Sequence, residues 1–153
     1  MAAVPKDDTA VSSKSGPVLG VDLGERRVGV ALSDPSCTVA SGLETIAVRS
    51  LGEAVAQVAD LATRRKAGRV VIGLPLNMNG SEGERARGAR QFARLLSDRI
   101  ESGVVLWDER LTSVQARGEL GRLGAGRSVS RDKARVDQVA ATILLQSYLD
   151  SLK

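Results

Sequence analysis

The sequence predicts an α/β domain built on a mixed sheet that helices cover on both faces. Three observations lead there. Residues 18–23, 28–32, 70–74 and 104–107 form short, almost wholly apolar runs, the mark of strands shielded on both sides. Between and after them lie longer segments with apolar residues at helical spacing. At 153 residues, 42% of them apolar and 26% charged, the chain can bury one substantial core, and no linker divides it.

Residues 1–16 mix small, polar and charged types without periodicity and read as a flexible arm; a single domain is expected over 17–150, with 151–153 as the C-terminal end. Val18–Leu23 is the first strand, and Gly24 gives the following turn the freedom to fold Val28–Leu32 back as an antiparallel hairpin. A weaker third strand is read over Thr38–Ile46. Ser50 as N-cap and Glu53 as the second half of a capping box open a helix whose apolar ladder is Leu51, Val55, Val58 and Leu61, with Gly68 as its stop. Val70–Leu74 is a buried strand ended by Pro75, and LNMNGSEG is a polar loop. Glu84–Ile100 reads as a helix with Ala89, Phe92, Ala93, Leu96 and Ile100 toward the core, and Val104–Trp107 as a strand. Thr112 and Gln115 cap a helix to about Leu120, residues 117–131 become basic and glycine-rich, and the last helix runs from about Asp132 to Leu149.

Composition removes whole classes of chemistry. Histidine is absent, which excludes Ser-His-Asp and Cys-His triads and imidazole-metal centres. Cys37 is the single cysteine, so no intrachain disulfide or thiolate cluster can form. It sits in a turn-like SDPSCTVAS segment, either exposed and able to link two chains or buried as a small residue at the start of the third strand. No apolar run approaches the roughly 18–20 residues of a membrane span and no secretory h-region is present, so a cytoplasmic protein with no membrane partner is expected. Of 22 basic residues seventeen are arginine, against 18 acidic ones, for a net charge of +4. The arginine excess suits phosphate contacts, and equally a GC-rich genome.

Three acids stand where apolar residues belong. Asp22 interrupts a buried strand, where an unpaired carboxylate calls for a cation or donors beside it, unless it caps the turn. Asp108 and Glu109 follow the strand 104–107, and alternation sends only one of them to the face of Asp22 without saying which; a strand-end pair with Arg110 is the alternative. On the last helix Arg135, Gln138, Thr142 and Gln146 form a polar side, whereas Asp137 falls in the apolar arc with Ala141, Leu144 and Tyr148, or else serves as an acid near the helix start. If the three converge, their oxygen ligands suit Mg²⁺ or Mn²⁺ and metal-assisted phosphodiester hydrolysis.

Four segments, GVDLGERRVGVALSD (20–34), VVIGLPLNMNGSEG (70–83), DERLTSVQAR (108–117) and KARVDQVAATILLQSYL (133–149), resemble in this order the YqgF family, small bacterial proteins of ribonuclease H-like fold described both as pre-16S rRNA nucleases and as Holliday junction resolvases. The resemblance implies Asp22, Glu109 and Asp137 as catalytic, metal-binding acids. It also places Asn77 and Gly80 in the family's G-L-P loop and Arg27, Arg110 and Thr112 at family positions. It implies a five-stranded sheet, the first three strands antiparallel and the others parallel to the first, with the acids gathered at one sheet edge.

The expected partner is nucleic acid, precursor rRNA or branched DNA. Arg27, Asn77, Arg87, Arg90, Arg94, Arg110, Arg127, Arg131 and Lys133 are its candidate contacts, the loop 121–131 being the best placed to engage it. With only Phe92, Trp107 and Tyr148 as aromatics, a reader of phosphate backbone is favoured over one that stacks bases. Junction cleavage would favour a symmetric homodimer, end processing a monomer. Two other classes compete: the D-x-G hairpin also resembles the phosphate loop of actin-like ATPases and sugar kinases, which need a second lobe, and a non-catalytic nucleic-acid binder could keep the fold.

Overall fold

The computed structural model describes residues 15–112 and 129–153, with side chains in the second stretch from Arg135 onward. Strands β1 (Val18–Leu23), β2 (Arg27–Ser33), β3 (Ala40–Ala47), β4 (Arg69–Leu74) and β5 (Gly103–Asp108) form one sheet in the order β3-β2-β1-β4-β5. β1, β2 and β3 run antiparallel in turn, while β4 is parallel to β1 and β5 to β4. Helices α1 (Leu51–Arg64) and α2 (Glu84–Ser97) cover one face, and α3 (Val129–Ser151) covers the other. The mixed sheet with two covered faces is the one the residues predicted, and its strand directions are those the family resemblance implied. Among the described residues no helix is long and apolar enough to cross a membrane.

Strand alternation separates two cores. Leu19, Val21, Val28, Val30, Val70, Ile72 and Val104 pack toward α1 and α2 around Phe92, Leu61 and Leu96. Val18, Ala31, Val71 and Val105 pack toward α3 around Ala141, Leu145, Tyr148 and Leu149. By the same two-residue period Gly20 and Asp22 of β1, Gly29 of β2 and Gly73 of β4 belong to the α3 face.

Those glycines let α3 lie against the backbone of the sheet. A Cβ on Gly29 would overlap the Asp137 carbonyl, and one on Gly20 would come within 2.8 Å of Leu145 Cβ. Further along, Gln146 fastens α3 to the outer strand and the turn before it, accepting from Ala40 N at 2.9 Å and donating to Thr38 O at 2.9 Å. Tyr148 is buried, accepts from Arg69 and meets Trp107 edge to face at 5.4 Å; Trp107 Nε1 donates to Ser147 Oγ at 3.1 Å. The polar stripe Gln138-Thr142-Gln146 therefore does not mark a solvent side: Gln138 and Thr142 border Gly42, and Gln146 is bonded at the start of β3.

Local signals hold with shifts at element ends. Ser50 Oγ accepts from Glu53 N at 3.1 Å, but Glu53 reaches back one residue further than a capping box does, to Arg49 N at 2.8 Å. α1 stops before Gly68: Arg65 is its C-cap and Lys66 takes the left-handed turn at φ 56°. α2 ends at Ser97 rather than Ile100, β3 begins at Ala40 rather than Thr38, and α3 begins at Val129, ahead of Asp132. The helix expected over 112–120, most of loop 121–131 and most of the arm lie outside the described residues. Cys37 is half-buried at φ 59°, its Sγ 3.7 Å from the Gly16 carbonyl.

The close seating of α3 makes a direct prediction. Gly29→Ala forces a Cβ into the Asp137 backbone and is expected to lower stability by about 1–3 kcal/mol, as overpacking does. Gly88→Ala on α2, where a Cβ meets nothing within 4 Å, is neutral or stabilising in the same urea titration.

Candidate active site

Asp22 lies near the carboxyl end of β1, directly across the ladder from Gly29, the residue on which the Asp137 backbone rests. The absence of a side chain at Gly29 is what brings Asp137 of α3 beside Asp22. Glu109 arrives from the other side. β5 ends at Asp108, and the chain turns through a single 3₁₀ turn, Glu109–Leu111. Asp108 caps that turn by accepting from Arg110 N at 2.9 Å and forms an ion pair with Arg110 Nη2 at 2.8 Å. Glu109, left free to turn to the α3 face, sets its carboxylate over Gly73, where a Cβ would overlap Oε2. The structure thus separates the adjacent acids that alternation alone left ambiguous: Asp108 is the one paired to Arg110, and Glu109 is the one beside Asp22.

The three carboxylates act on one another. Burial, then the charges of Glu109 and Asp137, push Asp22 from 3.8 up to about 7, with the Arg85 guanidinium opposing the rise. Burial also raises Glu109, again against Arg85. Among the described residues no side chain donates a hydrogen bond to either carboxylate. Asp137 differs: its Oδ2 accepts from Arg27 Nε at 2.7 Å, with its side chain 23% exposed. As the side chains stand, no three histidine, cysteine or acidic groups among the described residues are gathered tightly enough to grip one ion. The donor set nevertheless fits a divalent hard cation. Two half-buried carboxylates lack protein partners, a third is one ion pair away, and only a cation would relieve all three at once.

The other candidates divide. Arg27 is at the site, engaged with Asp137. Arg110 is near it, spanning from Asp108 to the Met78 carbonyl at 3.3 Å and so tying the 76–83 loop to the end of β5. Asn77 organises that loop: its N–H and Nδ2 donate to Ser81 O and Oγ, both at 2.9 Å, and its carbonyl accepts from Gly80 at 2.8 Å, with Gly80 at φ 87°. Arg90 is held by Glu82 at 2.6 Å, and Arg87 leans on the Glu82 carbonyl at 3.4 Å. Arg94 is exposed in the last turn of α2, roughly 13 Å along the helix from Arg85 at about 1.5 Å per residue. Arg127, and the side chains of Arg131 and Lys133, lie outside the described residues.

Sequence reasoning missed Arg85. It stands in the first turn of α2 and lines a polar cleft of about 500 Å³ with Gly24, Glu25, Arg26, Arg27 and Asp137. The available signal was its position: a cation in a first helical turn opposes the positive end of the helix dipole, so it needs another reason to be there.

The Asp22 environment contributes to the pH response of the metal-free fold. Because its folded value is about 7 against 3.8 for an ordinary aspartate, the folded chain holds a proton between those values that the unfolded chain has released. The contribution of Asp22 to stability therefore falls as pH rises from about 4 to about 7, the raised Glu109 adds in the same direction, and the lowered Asp34, Glu82 and Asp108 act in the opposite one. Asp22→Asn is expected to melt several degrees higher than the parent at pH 8 in EDTA and about equally at pH 4. Thermal unfolding across that range is the check, and Mn²⁺ should raise the parent's melting temperature more at pH 8 than at pH 5.

With this geometry in view, the chain was compared with known proteins. Residues 16–151 match the family model described as RuvX: Holliday junction resolvase. A protein of Pelotomaculum thermopropionicum named "Putative pre-16S rRNA nuclease" is 44% identical over 135 residues, 88% of this chain and 86% of that one. One of the same name from Chloroflexus aurantiacus is 45% identical over 134 residues, again 88% and 86%. Among solved structures, Thermus thermophilus RuvC in complex with a Holliday junction substrate aligns with TM-score 0.61 at 12% identity, covering 90% of this chain and 97% of that one. The fowlpox virus resolvase bound to Holliday junction DNA aligns at 0.52 and 15%, covering 89% and 98%. At these identities the structures speak for the fold alone, and they agree with the strand order and helix placement seen here. The extent of the family match and the relatedness over nearly nine-tenths of the chain leave one assignment: the chain belongs to the RuvX family, also called YqgF, and has its ribonuclease H-like fold.

Proposed function

We propose that this protein is a divalent-metal-dependent endonuclease that hydrolyses nucleic-acid phosphodiesters and trims the 5' end of pre-16S rRNA in the cytoplasm, with Asp22, Glu109 and Asp137 as its catalytic acids. The observation that carries the reading is the convergence of three carboxylates on the α3 face, two of them half-buried and without a protein donor. A fold gains nothing from such repulsion unless a cation completes it. Mg²⁺ or Mn²⁺ held by the trio would supply an activated water and positive charge against the leaving oxygen.

The chain's own groups do the rest. β1 and the 3₁₀ turn after β5, the latter capped by Asp108, carry Asp22 and Glu109. Gly73 leaves the Glu109 carboxylate its space. Arg27 holds Asp137 in place, and were that carboxylate to ligate a bound cation, the guanidinium would be available to a substrate phosphate. The buried aromatic residues argue for recognition of the backbone: Phe92 and Tyr148 are fully enclosed and Trp107 packs on Tyr148. The family description favours a second reading, resolution of branched DNA, for which a homodimer would present two such sites.

Asp22→Asn, Glu109→Gln and Asp137→Asn are each expected to lower cleavage about a hundredfold or more while the protein stays folded, since each removes a charge whose role is worth several kcal/mol. Gly73→Ala should fold, because the far end of Glu109 can yield, yet cleave about tenfold more slowly. Cleavage of pre-16S rRNA and of a four-way junction, side by side with Mn²⁺, decides between the two substrates; undiminished activity in a folded Asp137→Asn protein removes that residue from the site. Affinity should fall steeply with salt, since Arg27 and its neighbours address phosphates, and a flat dependence of log affinity on log salt would contradict backbone recognition.

A further inference from the structure

Beside the polar cleft lies a second one, of about 320 Å³, between the first turns of α1 and α2. That volume is at the low end of the roughly 300–1,000 Å³ that small-ligand clefts occupy, the scale of one nucleotide unit. Leu23, Val48, Leu51 and Ala54 give it apolar walls, and on its α2 side stands Gly88, where a Cβ would meet nothing within 4 Å. Gly24, Glu25 and Arg85 line both clefts, so Arg85 stands on the ridge between the apolar cavity and the acids.

We infer that the apolar cleft seats an unpaired nucleobase of the substrate strand, with Arg85 gripping the phosphate that links this nucleotide to the one at the carboxylates. Charge chooses the occupant. Glu25 and Glu84, which also line it, repel a phosphate but can accept hydrogen bonds from the amino groups of a base, while the apolar walls suit a flat neutral ring. Of the arginines near the site, Arg27 is held by Asp137 and Arg110 by Asp108, whereas Arg26 and Arg85 make no side-chain hydrogen bond or ion pair with any described residue, and of these two only Arg85 lines the apolar cleft as well. A polyanion approaching three carboxylates needs such an uncommitted cation beside them. The free aromatic platforms that commonly hold bases are missing, and an aliphatic cleft is the alternative this fold offers.

The inference rests on the nuclease reading, and the test separates the two. In the Asp22→Asn background with EDTA, affinity is measured for a short labelled single-stranded DNA and for an abasic oligomer of equal length. Gly88→Leu is expected to weaken binding of the base-bearing strand about tenfold and to leave the abasic strand unchanged, with Gly88→Ala binding as the parent. Gly88→Val gives the same contrast should leucine unfold the domain. Arg85→Gln is expected to weaken both strands and to lower the salt slope by about one, with Arg85→Lys restoring most of the loss and Arg64→Gln, on α1, without effect on either strand. Equal binding of the two strands by Gly88→Leu relative to the parent, or an unchanged salt slope in Arg85→Gln, overturns the proposal. Cleavage by the Asp22 parent with Mn²⁺, assayed alongside, tells the failures apart: cleavage without the base contrast rejects only the cleft, and the contrast without cleavage rejects only the nuclease.

Discussion

The site depends on one close contact, the backbone of α3 lying on the glycine-paved face of the sheet. Gly29 meets the Asp137 carbonyl and Gly20 meets Leu145, so the helix sits closer than side chains would permit. Because Gly29 pairs with Asp22 across the β1–β2 ladder, the same contact that buries Ala141, Leu145 and Tyr148 delivers a helix carboxylate to a strand carboxylate. Packing and chemistry are therefore not separable here: any side chain at Gly29 that lifts α3 also takes Asp137 out of the site.

Against that stands an electrostatic cost. Burial raises both Asp22 and Glu109, Asp22 further through the charges of Glu109 and Asp137 and Glu109 further through Asp108, while Asp137 is ion-paired with Arg27. Elsewhere the protein treats acids conventionally, as in Asp60 with Arg64 or Glu82 with Arg90, on the surface. A breach of local rules confined, among the described residues, to the carboxyl ends of β1 and β5 and one turn of α3 is the pattern of a functional site supported by a stable scaffold. Arg85 offsets part of the rise at Asp22 and Glu109, and Arg27 pairs with Asp137.

Much of this was legible in the sequence because misplacement is a linear property. Asp22 shows in a run of apolar residues, and Asp137 shows on a helical wheel, with no knowledge of neighbours. Alternation could not choose between Asp108 and Glu109, because the choice turns on a 3₁₀ turn and on which acid takes Arg110; only the family resemblance named Glu109. Gln138, Thr142 and Gln146 read as a solvent side, whereas Gln146 satisfies backbone groups around the start of β3, a partner 106 residues away that periodicity cannot name. Arg85 went unnoticed for a related reason: Arg87, Arg90 and Arg94 form the conspicuous row, yet Arg87 and Arg90 turn to Glu82 and helical rise carries Arg94 away, whereas Arg85 lies on a different side of the helix and acts on Asp22 and Glu109. The strand glycines carried a signal too, since glycine within a strand marks a close approach, but which element approaches is tertiary information.

The central claim is that Asp22, Glu109 and Asp137 form one cation site across the α3 face. Anomalous diffraction from crystals soaked in Mn²⁺ tests it most directly. The account predicts a manganese peak bounded by carboxylate oxygens of all three residues, with Asp137 drawn off Arg27. Manganese bound elsewhere, or bound at Asp22 and Glu109 while Asp137 stays paired with Arg27, would contradict it.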